Sequence, residues 1–220
     1  VDEILVALAE VRREPPRAAL AAAEACREEL TPRLLATLDE GYDLAVRIGD
    51  LRDSSLVASP LCIDRRVLVA SPGYIARHGE IHRPQELLKR NALLFANPAP
   101  LDSWNFIDTS GKEHVVKVSG NFETNNCDAL RAAILAGQGV AMRPLWDVWQ
   151  DIEQGEMVAL LPDYIHPSFP IHAVYPSRRH LSQKVRLFID MLRERFGENP
   201  YWENSVPAST RKASPRLVRK

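Results

Sequence analysis

Cysteine is scarce in this 220-residue chain: Cys26, Cys62 and Cys127 are the whole complement, far apart and without a CxxC pair. That excludes a disulfide framework and a sequence-local metal site, and it fits a reducing cytosol. There is no HExxH motif. His78, His82, His114, His166, His172 and His180 are scattered, and none pairs with a carboxylate at metal-ligand spacing. Neither sign of charge is in excess: 28 Lys and Arg against 29 Asp and Glu leave a formal net charge of -1. The whole-chain field therefore gives no argument for nucleic acid or for an anionic membrane. No apolar run reaches membrane-spanning length. Val1-Asp2-Glu3 opens without the basic and apolar regions of a secretory signal. Glycine-rich phosphate loops, a GxSxG elbow and internal repeats are all missing. Cys127 is the one candidate nucleophile, placed at a helix start where a thiolate is favoured. No general base can be named for it, so a hydrolase is a weak reading, and a small core residue is the commoner role.

What is present reads as an α/β protein. A hydrophobic content of 45% and a charged content of 26% describe an ordinary globular chain, long enough for one large domain or two small ones. Residues 43–48 form a strand in which Leu44, Val46 and Ile48 alternate, with Ala45 small enough to be buried on the other face; Gly49 ends it before a polar turn. Ligands of open α/β sheets sit beyond the carboxyl ends of strands, which makes this strand end a candidate wall of a binding site. A plain core strand with a surface turn is the commoner meaning of the same pattern.

Ahead of it, residues 1–14 predict an amphipathic helix on the seam Val1, Ile4, Leu8 and Val11, stopped by Pro15-Pro16. Residues 17–30 predict an alanine-rich helix, and Thr31-Pro32 opens a third that ends at Gly41. Further strands are expected at 66–72, closed by Pro72, and at 92–95, 115–118, 140–142, 157–161 and 171–175. Helices are expected at 73–78, from Pro84, after Asn125 or Asn126, at 146–152 and from about Ser182. The last carries the stripe Val185, Phe188, Ile189, Leu192 and Phe196. Residues 96–113 read as turn-rich, and the chain from 198 to 220 as a disordered basic tail.

The polar sequence Thr124-Asn125-Asn126 stands before the helix whose apolar positions are Leu130, Ala133 and Ile134. A helix start exposes backbone N–H groups and the positive end of the dipole, a receptor suited to a carboxylate. A plain N-cap explains the same residues equally well.

Five segments in unbroken order over residues 39–197 together closely resemble the effector-binding domain of LysR-type transcriptional regulators. They are 41–49 (Gly-Tyr-Asp-Leu-Ala-Val-Arg-Ile-Gly), 53–58 (Asp-Ser-Ser-Leu-Val-Ala), 66–74 (Arg-Val-Leu-Val-Ala-Ser-Pro-Gly-Tyr), 136–141 (Ala-Gly-Gln-Gly-Val-Ala) and 175–182 (Tyr-Pro-Ser-Arg-Arg-His-Leu-Ser). The resemblance implies two Rossmann-like subdomains joined by a two-crossing hinge, as in type II periplasmic binding proteins. Subdomain I would take 16–66 and 170–197, and subdomain II 67–169, after a linker-like helix at 1–15. It also implies a ligand-sensing module in the cytoplasm and not an enzyme, with a small effector in the inter-subdomain cleft and no cofactor. Homo-oligomers and DNA are the implied partners, DNA only through a winged helix-turn-helix head, and no membrane. The effector-contact positions fall on Gly49, Asp50 and Leu51, on Thr124, Asn125 and Asn126, and on Arg143 and Pro144. The chain departs from the family in lacking a counterpart of that head. Residues 15–38 are also too short for the family's first strand, dimer helix and second strand, so the first subdomain reads as atypical or truncated. A solute-binding protein of the same fold, or a regulator remnant that does not bind DNA, are the alternative readings.

Overall fold

The chain is a mixed α/β protein, and a computed structural model describes residues 43–49, 56–96, 102–176, 183–197 and 200–205. The helices expected within 1–42 and the polar turn with Asp50 and Leu51 lie outside the described residues. In chain order the strands are β1 (Ala45–Ile48), β2 (Leu56–Asp64), β3 (Arg66–Ala70), β4 (Leu93–Phe95), β5 (Ser103–Ile107), β6 (Glu113–Lys117), β7 (Phe122–Thr124), β8 (Val140–Pro144), β9 (Val158–Leu160) and β10 (Phe169–Pro176). The helices are α1 (Pro72–His78), α2 (Cys127–Leu135), α3 (Leu145–Glu153) and α4 (Gln183–Phe196), with 3-10 turns at Pro84–Lys89 and Tyr201–Ser205. The described residues divide into two units, one formed by those within 43–64, 169–197 and 200–201, the other by those within 65–168 and 202–205.

The first unit holds an antiparallel sheet in the order β1-β10-β2. Leu44, Ala45 and Ile48 are buried, while Val46 is only half-buried. β2 was not expected as a strand, because Pro60 lies inside it and a proline has no N–H for a ladder. The register explains how it is tolerated. Cys62 lies opposite Ile171 and Pro60 opposite His172, so Leu61 is an extra residue and the proline stands at a bulge. α4 packs on β2. Val185, Ile189, Leu192 and Phe196 are buried as its spacing requires, and Arg193 Nη2 donates to Ser59 Oγ at 2.6 Å.

In the second unit β3 is central, antiparallel to both β8 and β9, and all five of its residues are buried. β4 and β7 run parallel, and the parallel bridge between Ala92 and Val140 connects β4 to β8. Two glycines permit this close approach. A Cβ at Gly120 would meet the Ala92 carbonyl oxygen at 1.7 Å, and one at Gly139 the Asn91 carbonyl oxygen at 2.3 Å. α1 is capped by Ser71, whose Oγ accepts from the Tyr74 N–H at 3.3 Å, with Pro72 in the first turn.

Three expectations are corrected here. The turn-rich stretch 96–113 contains β5, paired with β6 as a hairpin. Trp104 and Phe106 alternate inward on it and are buried, each contributing roughly 1.5–3 kcal/mol of apolar burial. Asp108 closes the hairpin, its Oδ1 accepting from the N–H groups of Ser110 at 2.9 Å and Lys112 at 3.0 Å. The helix expected from Pro84 is a 3-10 turn, ended by the Arg90 N–H on the Leu87 carbonyl at 3.0 Å. Ordered structure also continues past residue 198. Trp202 is 1% exposed. Glu203 Oε2 pairs with Arg65 Nη2 at 2.7 Å. A large apolar ring with an adjacent paired carboxylate outweighs the polar composition around it.

Candidate functional site

β7 delivers the polar turn. Thr124 pairs with Phe95 across the parallel ladder, and its carbonyl accepts from the Ala96 N–H at 3.0 Å. The chain then leaves the sheet and enters α2. Asn126 is the N-cap, in extended conformation, and its Oδ1 accepts from the Ala129 N–H at 2.9 Å. Thr124 Oγ1 accepts from the Asn126 N–H at 3.1 Å. Both oxygens are thus turned to the backbone. Among the described residues no partner takes the donor end of either side chain, the Thr124 hydroxyl hydrogen or the Asn126 amide group. Asn125 and Asn126 are exposed and Thr124 half-exposed. An exposed helix start with hydroxyl and amide donors suits an anion.

Arg143, the expected cationic contact, stands on β8. It is the penultimate residue of β8, with a side chain that is 1% exposed. Its Nε donates to Asp147 Oδ2 at 3.0 Å, and its Nη2 donates to the same oxygen. Burial opposes its charge, but the Asp147 carboxylate and the Cys127 sulfur beside it outweigh that and hold the guanidinium above its ordinary value. The sulfur places Arg143 beside Cys127, the first residue of α2. Its fork is engaged by Asp147 inside the fold. Pro144 is buried and stands opposite Arg66 in the ladder, and the Arg65 carbonyl accepts from the Leu145 N–H at 2.8 Å as α3 begins. Gly49 belongs to the first unit. Its φ of +110° lies where glycine is favoured, and its N–H donates to the Pro170 carbonyl at 2.9 Å.

Sequence reasoning missed Asp147, Asp151 and Arg131. Arg131 Nε donates to Asp151 Oδ2 at 2.8 Å, and its Nη2 donates to Oδ1. The fork is held above its ordinary value, first by those bonds and then by the surrounding carboxylates, with burial working against it. The available signal was Asp147 and Asp151 four apart on an expected helix, one face with two carboxylates.

Three histidines of the second unit have partners other than the turn residues. His78 stacks on Tyr74 with ring centroids 4.3 Å apart, and His114 Nε2 lies 2.8 Å from Asp108 Oδ2. His166 is buried, with its Nδ1–H donating to the Asn105 carbonyl at 2.9 Å. Among the described residues no group of three or more His, Cys, Asp or Glu is placed to hold a metal ion, and no helix is long and apolar enough to cross a membrane.

The mixed α/β architecture is that of LysR-type regulatory domains, the two-subdomain periplasmic-binding-protein-like fold. The LysR substrate binding domain matches residues 5–197, and the chain belongs to the LysR family of transcriptional regulators. That match begins at residue 5 and so includes most of the stretch expected to be a linker-like helix and an atypical first part. The chain is 36% identical over 177 residues to the HTH-type transcriptional regulator DmlR of Escherichia coli, covering 79% of this chain and 56% of that regulator. It is 37% identical over 159 residues to PtxR of Pseudomonas aeruginosa, covering 72% and 51%. The regulatory domain of CrgA from Neisseria meningitidis is similar in structure, with a TM-score of 0.62 at 32% identity over 71% of this chain and 76% of that one. The chain spans about half the length of the curated relatives it matches.

Proposed function

We propose that this chain is the effector-sensing part of a LysR-type transcriptional regulator, a ligand-binding module and not an enzyme. It takes a small anionic metabolite at the Thr124–Asn126 turn. The observation that supports this most is the exposed start of α2, where Thr124 and Asn126 use their oxygens on the backbone and keep their donor ends available. Gly49, at the carboxyl end of β1, is the first unit's candidate contact, with Asp50 and Leu51 following it in sequence. Effector binding shifts the conformational equilibrium of the sensor, and the regulator's hold on DNA follows. Action in the cytoplasm as a homo-oligomer belongs to the same reading.

Thr124→Val tests the site. It should weaken binding of any carboxylate that stabilises the wild type by roughly 1–2 kcal/mol, through loss of the hydroxyl hydrogen bond. Thr124→Ser should restore it, and the unfolding midpoint should barely move. Calorimetry showing unchanged affinity in Thr124→Val would remove this turn from the effector site.

A further inference from the structure

We propose that Arg131 and Asp151 are positioning residues for the effector turn, an inference that rests on reading Thr124–Asn126 as the effector contact. Their pair joins α2 to α3 and sets where the first turn of α2 stands. Asp151 is buried with a side chain 2% exposed, a position a carboxylate occupies only when paired. Arg131 meets both of its oxygens with two N–H groups, a planar fork that fixes orientation as well as distance. The pair is one rung of a ladder. Cys127 and Arg131 are four apart on α2, and Asp147 and Asp151 four apart on α3, so each pair shares a face. The inner rung is Arg143 on Asp147 with the Cys127 sulfur beside it; the outer rung is Arg131 on Asp151.

Apolar packing alone constrains α2 weakly, because Leu130 and Ile134 are its only buried side chains. Rotation or sliding of α2 on these two residues would move Asn126, and with it the Thr124 hydroxyl bonded to its N–H. The outer rung opposes that motion from one turn inside the helix. Arg131 is 32% exposed at its side chain, so solvent and salt reach this rung, while the inner one is closed.

The test compares the wild type, Asp151→Asn, Arg131→Gln and the exchanged pair Arg131→Asp with Asp151→Arg. Two readouts apply: amide hydrogen exchange without ligand, and amide NMR shifts at Asn126, Cys127 and Asp128 during titration with sodium malonate. Each single variant should speed exchange about tenfold at Ala129 and Leu130, whose N–H groups bond to Asn126, and weaken malonate binding by a similar factor. Amides of β3 and β8 should keep their rates, and the exchanged pair should recover both readouts. The proposal is overturned if Ala129 and Leu130 keep wild-type rates, if β3 and β8 speed up equally, or if the exchanged pair recovers nothing. Arg131→Gln carries the comparison should Asp151→Asn not fold, because its site is partly open. Malonate that shifts no amide of the wild-type turn would count against the effector reading, while the exchange rates still decide the positioning role.

Discussion

Replacing Asp147 with alanine is expected to destabilise the second unit by about 3–5 kcal/mol, the cost of stranding a buried charge. The Arg143 side chain is 1% exposed, and both its Nε and Nη2 donate to one Asp147 oxygen. Alanine removes that oxygen and gives water no path to the guanidinium. Its pKa lies too high for deprotonation to relieve the strain. Asp147→Asn, which keeps an oxygen acceptor, should cost less. The double variant Arg143→Met with Asp147→Leu should recover most of the loss, since apolar residues of similar volume remove the charge and its partner together. Urea unfolding followed by the fluorescence of Trp104, Trp146, Trp149 and Trp202 reads all three variants. A loss below about 1 kcal/mol in Asp147→Ala would mean that Arg143 is hydrated and the inner rung carries little.

The second large effect is a dependence on pH carried by His166. Burial pushes this imidazole down to about 4 from an ordinary value of 6.5. The nearby Arg66 charge acts in the same direction, and the bond to the Asn105 carbonyl resists it. The ring also meets Phe106 edge-on, with centroids 4.4 Å apart. In the unfolded chain His166 takes up a proton near the ordinary value; in the folded chain it does so only near the depressed one. Between these the unfolded state binds more protons, so stability falls as pH falls through that window. At pH 5 the loss relative to pH 7 amounts to about 2 kcal/mol from this group. His166→Gln can still donate to Asn105 and cannot titrate. Its stability should therefore fall less than the wild type's over the same interval, by about that difference. Equal slopes for the two proteins would show that His166 is protonated in the folded state at pH 5.

Much of the second unit was legible because its signals are local. β3 reads as a continuous apolar strand and is buried throughout. Asn126 sits where a cap was needed, and Gly137, with φ +69°, follows the end of α2. In the first unit the stripe of α4 alone predicts its buried side. Where local and tertiary signals conflict, the reading fails. Pro60 argues against a strand, yet a bulge accommodates it. The turn-forming residues of 96–113 hide the two-residue period of Trp104 and Phe106. At the site, the polar turn could be found because capping is written in adjacent residues. The partners of Arg143 and Arg131 could not. A carboxylate on an amphipathic helix ordinarily marks the solvent side, and Asp147 and Asp151 point the other way only because two guanidinium groups meet them. Family membership was legible for a different reason: five short segments keep their order across most of the chain.

A thermal-shift screen of the wild-type chain and Thr124→Val against small carboxylates and aromatic acids tests the central claim most directly. A ligand that binds only the folded state stabilises it by about 2.7 kcal/mol at a hundred times its dissociation constant. At least one of these anions is expected to raise the melting temperature of the wild type, with a much smaller rise in Thr124→Val. A panel in which no anion stabilises the wild type, or in which Thr124→Val responds equally to every one that does, would contradict an anion sensor built on the start of α2.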